Sequence, residues 1–284
     1  MSAQILDGKA IAAGIRNTVK GGVEKLTQAG HRAPSLVVIL VGNNAASEVY
    51  VKNKEKACKS VGFKSSIMKL PIDTSQNELF SIIDNLNSQN DVDGILVQLP
   101  LPEQIDENLV NERIDPKKDV DGFHPFNIGR LVLRKPILRP CTPKGIMTML
   151  EHTNIDLVGK DAVIIGQSNI VGRPMLLELL MARCTPTICH SKTKNLKEKM
   201  KSADIIIAAV GVPKFIMGAD LKEGCIAIDV GINKIKNNGL CGDIDFESAK
   251  EVAEWISPVP GGVGPMTVAT LLSNTMQAAT LKQN

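Results

Sequence analysis

Two hydrophobic patterns alternate along the chain. Short continuous apolar runs recur at LVVILVG (36–42), GILVQLP (94–100), AVIIG (162–166), DIIIAAVG (204–211) and CIAIDVG (225–231). Between them lie segments whose apolar positions repeat every three to four residues. The runs predict strands buried on both faces, as in a largely parallel sheet, and the intervening segments predict the helices that cover it. Further strands are predicted at 63–70 and 185–191. Asp7 is placed to cap a helix running to about Ala29, with Gly30 as its stop. A helix over 44–61 stops at Gly62, with Ala46, Ala57 and Val61 facing inward and Lys52, Lys56 and Lys59 facing water. Ser75 and Glu78 have capping-box spacing for a helix to about Asn87. Helices are also predicted at 106–113, 143–152, from Pro174 through LLELLMA, at 195–201 and at 265–282. Thr142 is placed to cap the helix that starts at Pro143. Most of 103–140 reads as irregular connection, and the strand–helix alternation restarts at CTPKG (141–145). The last helix is expected to return to the first domain.

Composition narrows the class. The 284 residues are 43% hydrophobic and 22% charged, as in a globular protein of one large or two ordinary domains. A dispersed net charge of +3 and 3% aromatic content argue against nucleic-acid binding. No secretory leader and no run long enough to span a bilayer is legible, so a cytoplasmic protein off the membrane is expected. The six cysteines have no CxxC spacing and read as reduced, buried thiols. Cys184, Cys189 and His190 lie close in sequence without a second ligand cluster, so no metal site is expected.

Candidate chemistry gathers at strand ends. Tyr50 and Lys54 are four residues apart, hence on one helix face, just past the strand 36–42. Gln98 sits at the end of the strand 94–100, where its amide can both donate and accept, and Pro100 and Pro102 stiffen the following loop. Asp115, Asp119 and Asp121 cluster near Gly122. One of them could receive donors from a ligand ring, and turn chemistry is the plainer reading. In the second half, GQSNIVG (166–172) lies between a strand and a helix. Gly166, Gly172 and the Ser168 hydroxyl bracket a turn whose helix end would offer free amides to a pyrophosphate, in the manner of a Rossmann unit. The strand 185–191 ends in His190, Ser191, Lys192 and Thr193 with no acid, which favours a ribose 2′-phosphate and hence NADP. Gly211 and Gly231 follow their strands where a small residue lets a cofactor ring approach, and Ile232 could lie against the nicotinamide. The loop SPVPGGVGPMT (257–267) reads as a pocket wall or a hinge.

The ordered motifs SEVYVKNKEKAC, GILVQLPLP, KDVDGFHPFNIGRL, PCTPKGIM, GQSNIVGRPM, CHSKT, IDVGIN and PVPGGVGPMT resemble the bifunctional methylenetetrahydrofolate dehydrogenase/methenyltetrahydrofolate cyclohydrolase family over nearly the whole chain. The resemblance implies two α/β domains flanking a cleft, the second a Rossmann-like NADP-binding domain, in a homodimer. The expected bounds are 1–138 plus 265–284 for the substrate domain and 139–264 for the NADP domain. It implies a catalytic role for Lys54, with Tyr50 orienting substrate, Gln98 bonding the lysine and Asp121 receiving pterin donors. Leu99, Pro100, Gly261, Gly262 and Pro265 join the implied substrate contacts. Gly166, Gln167, Ser168, Ser191 and Ile232 fall at implied NADP contacts. Some relatives carry arginine at the position of Gln167 or near Ser191. Here the 2′-phosphate would rely on Ser191, Lys192 or Arg173. The implied reactions are NADP-dependent oxidation of a methylene-folate and hydrolysis of the methenyl product. A free lysine titrates near ~10.4, so desolvation of Lys54 is expected to favour the neutral amine that such a proton transfer needs.

Overall fold

The computed structural model describes residues 2–235 and 239–281. In chain order the elements begin with β1 (Gln4–Ile5), α1 (Gly8–Gln28), β2 (Ser35–Val41), α2 (Ala45–Val61), β3 (Lys64–Leu70), α3 (Gln76–Ser88) and β4 (Gly94–Val97). There follow α4 (Glu107–Arg113), α5 (Pro125–Val132), α6 (Cys141–His152), β5 (Asp161–Ile165), α7 (Gly172–Met181), β6 (Thr185–Cys189), α8 (Leu196–Ser202) and β7 (Ile205–Ala208). The rest are β8 (Ile226–Asp229), β9 (Asn233–Ile235), β10 (Gly239–Cys241), α9 (Phe246–Ala249), β11 (Trp255–Ile256) and α10 (Val263–Leu281). The chain divides into two compact units: Ala13–Cys141 with Val268–Asn284, and Met1–Ala12 with Thr142–Thr267.

The first unit is built on a parallel three-stranded sheet ordered β3-β2-β4. Six of the seven β2 residues are buried, which is why that strand reads as an unbroken apolar run. One face packs on Val51, Cys58 and Val61 of α2 and on Leu271 and Leu272 of α10; the other packs on Leu79, Ile83 and Leu86 of α3. The local signals act as expected at α2, where Asn44 accepts from Ala46 and Ser47 amides and Gly62 closes the helix. They also hold at α3, where the Ser75–Glu78 capping box forms. Ala46, expected to face inward, is exposed; Ser47 takes the buried position beside it. The connection expected to be irregular contains α5, started by Pro125 and capped by His124 Nδ1.

The second unit carries a parallel six-stranded sheet ordered β1-β11-β8-β7-β5-β6. Its core includes Val163, Ile165, Ile206, Ala208, Ala227 and Ile256. The path from β5 goes out to β6 and returns to β7 on the other side, so the strand order reverses at β5. In such a sheet the carboxyl ends of β5 and β7 frame the ligand crevice. Residues 1–12 were expected with the first sheet. The structure groups Met1–Ala12 with the second unit, because β1 pairs with β11, Gln4 opposite Trp255 and Ile5 opposite Ile256. A two-residue strand has no period to read. Thr142, expected as a cap, lies inside α6, and its hydroxyl sits 2.9 Å from that of Thr267.

Candidate active site

In the three-stranded unit, helix spacing and strand ends converge as the pattern requires. Lys54 Nζ donates to Gln98 Oε1 at 3.0 Å. Gln98 follows β4 directly, and its backbone N–H still bonds Ile39 of β2, so the side chain starts from a fixed point. Its Nε2 donates to Leu99 O at 2.7 Å, which turns Oε1 toward the lysine. Tyr50, one turn earlier on α2, is 41% exposed and so presents its ring to solvent.

Asp121 comes to this site from the turn that follows the sheet edge. Asp119 makes one parallel bridge to Ile95, and the chain then turns, with Gly122 N donating to Asp119 O, so that Asp121 lies close enough to Lys54 to feel its charge. Burial pushes the Asp121 carboxyl above its ordinary value, while the nearby Lys54 charge and a hydrogen bond from Cys141 oppose that shift. The amine and this carboxyl therefore share one electrostatic environment.

Sequence reasoning grouped Asp119 with its neighbours but missed its job. Its carboxylate accepts from the Gly122, Phe123 and His124 amides and from Asn127 Nδ2 at 2.8–3.2 Å. It thereby folds the loop that carries Asp121. Burial still pushes Asp119 up, with Asp121 adding like-charge repulsion. On α10, buried Asn274 donates through Nδ2 to Val120 O at 2.9 Å and Arg139 O at 2.8 Å, clamping the same loop. Lys118 gives its ammonium to the Leu86, Asn87 and Gln89 carbonyls at the end of α3. Of these only Asn274, a polar residue within an apolar helix, carried a signal in the sequence; Lys118 and Asp119 lie in a largely polar stretch.

In the six-stranded unit the turn after β5 is closed on itself. Gly166 has φ +123°, and a Cβ there would meet Ala209 O at 2.2 Å. A Cβ on Gly172 would meet Gly166 O at 2.0 Å. Both positions demand glycine for close backbone approach. The α7 amides expected to be free are partly used. Val171 and Gly172 donate to Ser168 Oγ at 3.1 and 3.4 Å, and Arg173 donates to Ser168 O at 3.0 Å. A hydroxyl that accepts with its oxygen still has a proton to give a ligand. Gln167 is exposed, and its carbonyl accepts from Arg173 Nε at 3.2 Å.

Gly166 N bonds Cys189 O at 2.9 Å, so the neighbouring end of β6 lies alongside this turn. Ser191 and Lys192 are exposed there, in a loop pinned by His190 and Thr193. Hydroxyls and cations without an acid at the end of β6 form a donor set suited to phosphate oxygens. Ile232, just past β8, is 47% exposed, and its Cδ1 approaches Gly264. Gly261 and Gly262 are buried against the start of α1, where Lys9 N bonds Gly261 O at 3.1 Å; Pro265 lies in the first turn of α10. Gly231, expected to make room for a cofactor ring, makes room for a carboxylate: a Cβ would lie 2.2 Å from Asp243 Oδ1. Among the described residues no cluster of three His, Cys, Asp or Glu could hold a metal, and none of the six cysteines is paired.

A glycine-closed turn at the reversal point of one parallel sheet, and a lysine–amide–carboxyl set in the unit built on another, define a two-unit α/β protein with a candidate nucleotide site and a candidate proton-transfer set. Comparison with known proteins makes the class specific. Residues 6–121 match the tetrahydrofolate dehydrogenase/cyclohydrolase catalytic domain, and residues 140–283 match the NAD(P)-binding domain of the same family. The chain belongs to the tetrahydrofolate dehydrogenase/cyclohydrolase family. It is 57% identical over 279 residues to bifunctional protein FolD 1 of Hydrogenovibrio crunogenus, covering 98% of each chain. The bifunctional FolD enzyme of Campylobacter jejuni superposes with a TM-score of 0.97 at 48% identity, covering 99% of each chain. The Trypanosoma brucei enzyme, solved with NADP cofactor and an inhibitor, gives 0.96 at 34% identity, covering 100% of this chain and 99% of that one.

Proposed function

We propose that this chain oxidises 5,10-methylenetetrahydrofolate with NADP and hydrolyses the methenyl product to 10-formyltetrahydrofolate. The observation that carries the reading is the 3.0 Å bond from Lys54 Nζ to Gln98 Oε1, with the Asp121 carboxyl near enough for the Lys54 charge to act on it. NADP, when bound, supplies the hydride acceptor. The residues that fit it are Gly166, Gln167, Ser168, Arg173, Ser191, Lys192 and Ile232. The serines and cations would meet phosphate oxygens, and exposed Ile232 would offer an apolar face to a ring.

In the hydrolytic step water adds to a cationic methenyl carbon. The added water loses one proton to give a carbinol; the carbinol O–H proton then leaves as the formyl C=O forms, and a proton reaches the ring nitrogen as the C–N bond opens, so that one proton is released overall. Lys54 Nζ is the group assigned to carry these protons, held by Gln98 without a second charge. Asp121 binds the pterin donors, and Tyr50 stacks against the substrate and orients it. Leu99, Pro100, Gly261, Gly262 and Pro265 complete the substrate contacts. The working form is a homodimer in the cytoplasm, supplying one-carbon units for syntheses such as that of purines; sedimentation at micromolar concentration tests the dimer.

Lys54→Met should lower methenyl hydrolysis by about a hundredfold or more while NADP still binds. The check is loss of methenyl absorbance beside an NADP titration, and full hydrolysis by the variant would refute the assignment. Parallel assays with NADP and NAD should favour NADP. Equal efficiency with both would remove the role given to Ser191, Lys192 and Arg173.

A further inference from the structure

Behind the proposed cofactor site lie two buried carboxylates that the reaction does not use. Asp243 is fully buried and Asp229 is 3% exposed. Asp243 Oδ2 accepts from the Val210 and Gly211 amides at 2.6 and 2.9 Å, in the loop that follows β7. Its Oδ1 accepts from Asn233 Nδ2 at 2.8 Å, in the segment that follows β8. One side chain thus ties together the loops leaving two adjacent strands. Asp229, the last residue of β8, holds the other end of the device. Its carboxylate accepts from Gly231, Asp243 and Ile244 amides at 3.0, 2.9 and 2.7 Å. The two positions interlock through glycines. A Cβ on Gly242 would lie 1.9 Å from Asp229 Oδ2, just as one on Gly231 would strike Asp243.

These loops flank the reversal point of the sheet. Ala209, whose carbonyl faces Gly166, immediately precedes Val210; Ile232 immediately precedes Asn233. We infer that Asp243, seated by Asp229, is a positioning residue for NADP: it fixes the β7 and β8 exit loops in their cofactor-receiving shape. A buried charge is costly to place, and amide donors converging on it compensate only in one loop geometry. The inference rests on the cofactor site proposed above. It goes beyond that site because Asp243 lies behind the loops, with both carboxylate oxygens engaged by the protein's own donors.

The family's two activities provide the internal control, because hydrolysis of the methenyl compound consumes no NADP. Asp243→Ala should raise the Kd for NADP, measured by calorimetry without folate, at least tenfold. Hydrogen exchange at Val210 and Gly211 should accelerate in the cofactor-free protein. Methenyl hydrolysis should stay within about twofold of the parent, which a general folding defect would not allow. Asp243→Asn keeps an acceptor for the two amides, and a turned Asn233 amide can meet its NH2, so it should restore Kd to within a few-fold. If the alanine variant does not fold, Asn233→Ala, which removes one donor from a half-buried position, should still weaken NADP binding several-fold. Unchanged NADP affinity in Asp243→Ala, or in Asn233→Ala where only that variant folds, overturns the inference. So does an equal fall of both activities that Asp243→Asn does not correct. Ser168→Ala separates the two readings. Weaker NADP binding in Ser168→Ala with normal binding in Asp243→Ala leaves the site standing and removes the positioning role. Normal binding in both removes the site as well.

Discussion

At Asp229 burial and hydrogen bonding oppose each other. Desolvation is the larger effect and pushes its pKa from 3.8 up to about 6, against three backbone N–H donors. Between these values the folded chain holds a proton that the unfolded chain has released. Stability from this residue is therefore greatest below about pH 4 and is lost as pH rises through about 6. A rise of that size corresponds to roughly 3 kcal/mol. Asp119 and Asp121 are also raised by burial and act in the same direction. Asp245 acts oppositely, since the Ser248 amide and Lys214 lower it to about 2, so its contribution disappears only in stronger acid. The melting temperature should rise between pH 7.5 and pH 5, and Asp229→Asn should flatten that rise. A wild-type melting temperature that falls over this range would contradict the assignment. Lys54 and Gln98 were each legible as candidates because helix spacing and a strand end are rules local in sequence, whereas their bond to one another was implied only by the family resemblance. Asp229 and Asp243 were not, because their partners are loop amides with no periodic signature. Gly231 was misread for the same reason: the atom it makes room for comes from a segment twelve residues on.

Elements marked by a continuous apolar run, an apolar face or a cap were legible, and strands of two or three residues were not. α2, α3 and α10 carry full apolar faces or caps, whereas β1 and β11 have two residues each and β9 and β10 three. α10 was expected to return to the first domain on length and apolarity. What the pattern did not reveal is its polar task, since Asn274 reads as an interruption of an apolar helix. Its Nδ2 holds the Val120 and Arg139 carbonyls on either side of the Asp121 loop. Asn274→Leu removes the donor and leaves those carbonyls to find others. It should cost about 1–3 kcal/mol in denaturant unfolding and raise the KM for folate more than that for NADP. Equal effects on both KM values would show a purely structural residue.

At the scale of the molecule, each unit has its own core. Val163, Ile206 and Ala227 belong to one cluster, and Leu36, Val38 and Leu271 to another. NADP at a hundred times its Kd should stabilise the unit that binds it by about 2.7 kcal/mol. The most protected amides of β5, β7 and β8 should slow accordingly in hydrogen exchange, and those of β2, β3 and β4 should not. Equal slowing in both sheets would mean that the chain opens as one cooperative body.

The pairing of β1 with β11 has a consequence for biosynthesis. Gln4 leaves the ribosome some 250 positions ahead of its partner Trp255. The edge of the six-stranded sheet must wait through that whole stretch of translation. The other unit waits too, for Val268–Leu281. Neither half can be finished in the order it is made: the six-stranded unit closes once the residues to Thr267 have emerged, and the three-stranded unit only after α10 has followed. That places the interval of greatest need for a chaperone between the emergence of β1 and that of α10.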